Sequence, residues 1–212
     1  MNKAKGLTLL THYALRIEGE KIIYSDPFHL EKAPQDGDII LITHEHYDHL
    51  SPDDIRKVAR PDAYIVLPKS CRAAALKAGL NEKRLLYLAA GEEAEIGGIR
   101  IEAVPAYNTL KPFHTKGKGW LGYVVTVGGV RYYIAGDTDN TPEARQVKCD
   151  VAIVPVGGTY TMTAKEAAAL VNTIRPAVAV PAHYGDIVGT VSDAEKFASL
   201  LESGIACDFA RD

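Results

Sequence analysis

Apolar residues in this chain come in short runs broken by turn residues, and the period within each run predicts the element it forms. Leu7 to Leu10, Tyr13 to Ile17 and Lys21 to Tyr24 read as three short strands, the last two joined through Glu18-Gly19-Glu20. Asp36-Gly37-Asp38 turns the chain into Asp38-Ile39-Ile40-Leu41-Ile42, a run apolar enough for a strand covered on both faces. Ser51-Pro52-Asp53-Asp54 opens a helix, with Ser51 as cap and Pro52 in the first position. Ala63 to Leu67 returns as a strand, and Pro68 to Ala78 predicts a helix ending at Gly79. Arg84 to Leu88 and Ile99 to Val104 read as further strands, separated by the Gly97-Gly98 turn.

The segment Pro105 to Trp120 has no period and predicts a long loop, a feature usually tied to function or disorder. Gly122 to Val127 and Val130 to Ala135 form a predicted hairpin about Gly128-Gly129. Val151 to Val156 and Ala177 to Val180 are apolar strands. Thr163-Ala164-Lys165-Glu166 is a capping box for a helix reaching about Ile174. Ser192-Asp193-Ala194-Glu195 predicts a second, opening a helix that ends near Gly204. The first half thus runs strand to strand through tight turns, while the second alternates strand and helix. That mixture predicts an α/β protein with packed sheets and helices outside them.

Composition changes little in this picture. With 212 residues, 47% hydrophobic and 24% charged, residues 1–212 suit a single domain with a substantial core. A net charge of −3 gives no electrostatic reason to expect nucleic acid as a partner. No apolar run approaches a membrane span and the Met1 segment lacks an apolar signal region, so a cytoplasmic protein is expected. Cys71, Cys149 and Cys207 are too scattered for a disulfide framework or a C-x-x-C metal site. The oligomeric state is left open, a homo-oligomer included.

The chemistry lies at strand ends. Directly after the buried run comes Thr43-His44-Glu45-His46-Tyr47-Asp48-His49-Leu50. Side chains two apart on extended backbone share a face, so His44 and His46 can converge on one point. A turn after His46 would bring Asp48 and His49 to a second point beside it. Imidazole and carboxylate are the ligands that Zn²⁺ and similar divalent ions accept. Asp26, Asp137 in Gly136-Asp137-Thr138, and His183 after Pro181-Ala182 also end apolar strands. Taken singly, Asp137 is a turn residue and His183 a loop histidine; beside the 44–49 cluster both become candidate ligands.

Thr43 to His49, Gly136-Asp137-Thr138 and Pro181-Ala182-His183-Tyr184 together resemble the metal motifs of the metallo-β-lactamase superfamily. The resemblance runs from Thr11-His12 and Ser25-Asp26-Pro27 to His183. Within the superfamily the chain is similar to the compact branch of metal-dependent hydrolases that includes ascorbate-phosphate lactonase, with Gly157 to Met162 as a further point of likeness. The resemblance implies a four-layer αββα sandwich of two mixed sheets with a dinuclear zinc site on one edge, Mn or Fe being alternatives. His44 and His46 would bind one ion; Asp48, His49 and His183 would bind the other; Asp137 would bridge them. The family normally supplies a third histidine to the first ion at the end of the strand matching Ile99 to Val104. Asn108 stands there in this chain. Either Asn108 ligates through its amide oxygen, or His114 folds in from the loop, or the first site is weaker.

The implied activity is hydrolysis of a small anionic ester, lactone or phosphoester by metal-activated water, with Asp48 and Asp137 in the catalytic centre. His114, Tyr160 and His12 are candidates, on position alone, for protonating the leaving group. Lys111, Lys116 and Lys118 suggest either a cationic lid over an anionic substrate or a solvated loop. Phosphodiester or RNA cleavage is an alternative, although superfamily members with that activity generally carry an added substrate-binding arm. A metal-binding sensor without turnover is another, prompted by Asn108.

Overall fold

A computed structural model describes residues 4–211. One sheet contains β1 (Leu7–Thr11), β2 (Ala14–Glu18), β3 (Ile22–Ser25), β4 (Gly37–Leu41), β5 (Ala59–Pro68) and β6 (Leu85–Leu88), side by side in chain order. The other contains β7 (Glu93–Ile96), β8 (Ile99–Pro105), β9 (Leu121–Val127), β10 (Val130–Ile134), β11 (Val151–Pro155), β12 (Val178–Ala182) and β13 (Ala206–Cys207), also in sequential order. Each sheet is antiparallel in its first strands and parallel in its last. Helices α1 (Pro52–Val58) and α2 (Arg72–Lys77) pack on the first sheet, and α3 (Ala164–Ile174) and α4 (Val191–Ser199) on the second. This is the αββα sandwich of two mixed sheets expected above.

The β4 run explains why the strand is apolar on both sides. Ile39 and Leu41 point into the core between the sheets, while Ile40 and Ile42 join Ile55, Val58 and Ala75 beneath the outer helices. Two tyrosines tie the sheets together close to the polar edge. Tyr123 donates to the Ile42 carbonyl at 2.8 Å, and the Tyr13 hydroxyl accepts from Gly136 N–H at 2.8 Å. Gly136 has φ +68°, and a Cβ there would lie 3.0 Å from the Leu121 carbonyl oxygen and 3.2 Å from Thr43 Cβ. Only glycine therefore lets the turn after β10 abut the turn after β4.

Parallel pairing sets the ends of β3, β4, β10, β11 and β12 along one edge. Ser25 lies opposite Leu41 and Ile134 opposite Ile153, so Asp26 falls next to Thr43, and Asp137 and His183 follow β10 and β12, the two strands that flank β11. Such carboxyl-terminal strand edges are where loops of α/β proteins converge on a ligand.

Several sequence expectations need correction. Pro68 belongs to β5, opposite Leu88, and only a 3₁₀ turn at Lys69–Cys71 precedes the six residues of α2. The Gly97-Gly98 turn joins β8 not to β6 but to β7, a four-residue edge strand whose Glu93 and Glu95 face solvent. Helix α4 begins after Thr190, whose N–H and hydroxyl both donate to Asp193 (2.8 and 2.9 Å), and it stops at Ser199. The Ser192–Glu195 pairing predicted for that role lies inside the helix.

Asp54 fastens the loop after β3 to α1. Its carboxylate accepts from His29 N–H, Leu30 N–H, Ser51 Oγ and Lys57 Nζ at 2.8–3.1 Å. Burial opposes its charged form, but Lys57, Ser51 and the Leu30 N–H outweigh that and hold the carboxyl below its usual range. A depressed folded-state pKa contributes stability above the ordinary carboxylate range and loses it as pH falls through the folded-state value. Asp54→Ala should therefore cost about 2–4 kcal/mol near neutral pH. The difference from wild type should shrink in acid, as urea melts at a series of pH values would show.

Candidate metal centre

The edge gathers three sets of donors, two of which share His44: His44, His46 and His114; His44, His49 and Asp137; and His12, Asp48 and His183. Within each set the potential ligand atoms all lie within 4.8 Å of one another. His44 Nε2 is 3.0 Å from His46 Nδ1. Asp137 sits centrally, 3.4 Å from His49 Nε2, 3.2 Å from His114 Nε2 and 3.3 Å from His183 Nε2. Asp48 Oδ2 lies 3.4 Å from His49 Nε2, 3.7 Å from His183 Nε2 and 3.5 Å from His12 Nε2.

Supporting residues orient these rings. Asp26, fully buried, accepts from Thr43 N–H (2.8 Å) and the Thr43 hydroxyl (2.6 Å) and lies 2.8 Å from His49 Nδ1. His49 is thereby held with Nε2 toward Asp48 and Asp137, the carboxylate–imidazole arrangement that fixes the tautomer of metal-binding histidines. Thr43 Oγ1 is 3.1 Å from His44 Nδ1, which leaves His44 Nε2 facing the cluster. Trp120 packs against His44, His46 and His114, with ring centroids 4.7, 4.8 and 5.4 Å away.

In the loop preceding β9, His114 and Asn108 take different places beside the first donor set. His114 is buried against His44 and His46, whereas Asn108 stands behind it. Asn108 Oδ1 accepts from His114 N–H (3.1 Å) and lies 3.0 Å from His114 Nδ1, while Nδ2 donates to Asp139 (3.2 Å) and the Tyr160 carbonyl (3.0 Å). Both ends of the Asn108 amide are thus engaged within the protein, and His114 Nε2 faces Asp137. Tyr160, a candidate proton donor, contributes that carbonyl and packs its ring edge-on against Phe113 at 4.8 Å. Among the described residues no hydrogen bond joins its hydroxyl to the cluster.

The lysines of this loop are less free than a cationic lid requires. Lys111 pairs with Asp139 (2.6 Å) and Lys116 with Glu143 (2.7 Å), while Lys118 lies over Trp120, 5.4 Å from its centroid. Asp139 also accepts from Thr109 N–H and Asn108 Nδ2, so Lys111 helps to shape the loop around His114.

The charges of the cluster are strongly coupled. Burial disfavours the charged form of Asp137, but His183, His49 and the nearby His114 ring outweigh it and hold the carboxyl far below its usual range. Burial also opposes charge on His49 and His183, yet Asp137 overrides it and raises both. Burial and neighbouring histidines hold His44 well below its usual value, as a neutral ring with a lone pair to offer.

Of the twelve buried side-chain nitrogen and oxygen atoms without a hydrogen-bond partner among the described residues, seven belong to His12, His49, His114, Asp137 and His183. Unpartnered buried polar atoms are costly, and their concentration around one point fits a group that binds them all. The residues therefore suit divalent metal. Asn108→Ala should lower affinity for an ion at the His44–His46–His114 set by about 10–100-fold, since His114 loses its orienting acceptor. Trp120 is the only tryptophan, so its fluorescence during a Co²⁺ titration provides the measurement.

Residues 6–183 match the family described as beta-lactamase superfamily domain, and the chain belongs to that family. A UPF0173 metal-dependent hydrolase of Aeropyrum pernix is 33% identical over 223 aligned positions, covering 92% of this chain and 89% of that one. The crystal structure of a provisionally assigned metal-dependent hydrolase of Parabacteroides distasonis is similar with a TM-score of 0.79 at 34% identity, covering 95% of this chain and 90% of the other. Igni18, a metallo hydrolase of Ignicoccus hospitalis, shares the fold with a TM-score of 0.78 at 23% identity, over 97% and 94% of the two chains. Among the described residues no helix is long and apolar enough to cross a membrane.

Proposed function

We propose that the chain is a hydrolase that uses two divalent metal ions, zinc or a close relative, to cleave a small anionic ester, lactone or phosphoester in the cytoplasm. The observation that carries this reading is the convergence of unpartnered imidazole and carboxylate atoms on one strand edge. Relatives described as metal-dependent hydrolases support it. Ions held there would supply hydroxide near neutral pH by lowering the pKa of water, and would polarise the electrophilic oxygen of the substrate.

The chain's own residues do the rest. His44, His46 and His114 form one donor set; Asp48, His49 and His183 form the other; Asp137 faces both. Asp26, Thr43 and Asn108 hold the rings in register, which keeps the reacting geometry preorganised. With only two carboxylates among those donors, a pair of dications leaves the centre positive, and that charge favours an anionic substrate. The grouping of His114 with His44 and His46 supports turnover over a sensor.

Activity should vanish when the protein is stripped by chelator and return on adding Zn²⁺ or Mn²⁺, assayed on a panel of aryl phosphates, phosphodiesters, lactones and carboxylic esters. Tight ion binding with no turnover across the panel would favour the sensor instead.

A further inference from the structure

We propose that His12 is a metal-binding residue, joining Asp48 and His183 in the second donor set. This rests on the reading of the cluster as a metal centre. His12 lies in the tight connection between β1 and β2 and is 1% exposed. Its φ is +25°, a strained conformation for a residue with a side chain, which persists only where the surroundings impose it. His183, at the end of β12 in the other sheet, has φ +58°. The two strained positions are joined directly, since His183 N–H donates to the His12 carbonyl at 2.8 Å.

The side chains meet as well. The His12 and His183 ring centroids are 4.0 Å apart, and His12 Nε2 is 3.5 Å from Asp48 Oδ2. Phe28 stands edge-on to the ring at 6.3 Å. A histidine kept for packing normally satisfies at least one ring nitrogen, but among the described residues neither nitrogen of His12 has a hydrogen-bond partner of good geometry. The carboxylate and imidazole that Nε2 approaches are a complementary pair of donors, and the three ligand atoms lie within 4.8 Å of one another. Two imidazoles and a carboxylate, with His49 and Asp137 alongside, make a donor set larger than tetrahedral Zn²⁺ requires. Mn²⁺ and Fe²⁺ accept more than four ligands readily, so His12 biases the second site toward such ions.

The test is a titration of chelator-stripped full-length protein with Mn²⁺, free ion being counted by electron paramagnetic resonance, and with Co²⁺, followed by its visible absorption. Wild type is compared with His12→Ala, His12→Gln and His12→Asn. Gln reaches Asp48 with an amide donor, and Asn tolerates the left-handed backbone. One of two equivalents should bind more than about 100-fold more weakly in all three variants, beyond what loss of an orienting neighbour produces. The Co²⁺ spectrum of that equivalent should change, and the metal-free variants should melt close to wild type. Wild-type affinity in His12→Gln, with weakening only in His12→Ala, would mean that His12 merely hydrogen-bonds Asp48 and would overturn the proposal. A wild type that binds two ions while every variant does the same would also overturn it, with the metal centre intact. A wild type that binds neither ion would sink the metal centre and the role of His12 together.

Discussion

Asp137→Asn is expected to lower hydrolysis by at least about a thousandfold in kcat/KM, a loss of roughly 4 kcal/mol of transition-state stabilisation. Asp137 lies within 3.4 Å of imidazole nitrogens of His49, His114 and His183, so no other carboxylate of the cluster faces both sides. Asn keeps the volume and one oxygen but removes the charge that holds His49 and His183 in place and that two dications would share. Metal content should fall in parallel, while the far-ultraviolet circular dichroism stays that of wild type. Activity within tenfold of wild type would mean that Asp137 is a turn residue, as its place in Gly-Asp-Thr also allows.

The second large effect is on stability. Asp26→Ala should destabilise the protein by about 3–5 kcal/mol, because it leaves the Thr43 N–H, the Thr43 hydroxyl and His49 Nδ1 buried without their acceptor. Asp26 also has φ +44°, a conformation that Asn adopts more readily than Ala. Asp26→Asn should therefore lose less stability, yet still misorient His49 because one carboxylate oxygen is replaced by a donor. Urea denaturation of the metal-free proteins separates the two contributions. Equal stability of Asp26→Ala and wild type would show that His49 is held by something else.

The frame and the richest part of the site were legible because both follow local rules. The double-sided apolar run of β4, the capping box at Thr163 and the Gly128-Gly129 hairpin are written in periods of a few residues. Donors at strand ends stand out because a buried strand has few uses for Asp or His. What could not be read depended on long-range geometry. Whether Asn108 or His114 faces His44 is decided by Asp139, Lys111 and the Tyr160 carbonyl, none of which announces itself as a loop anchor. The role of Asp26 follows from the register of β3 against β4. His12 stayed one candidate proton donor among several until pairing across the sheets put it beside His183. Strand β7 is hard to read because it spans only four residues, with Ala94 and Ile96 its only apolar positions.

A dinuclear hydrolase requires two ions on this edge, one of them held by His114. Equilibrium dialysis of the full-length protein against micromolar Zn²⁺ or Mn²⁺, followed by elemental analysis, measures this directly for wild type and His114→Ala. Two ions per wild-type chain and one per His114→Ala chain are predicted; a wild type that retains none, or a variant that retains both, would contradict it.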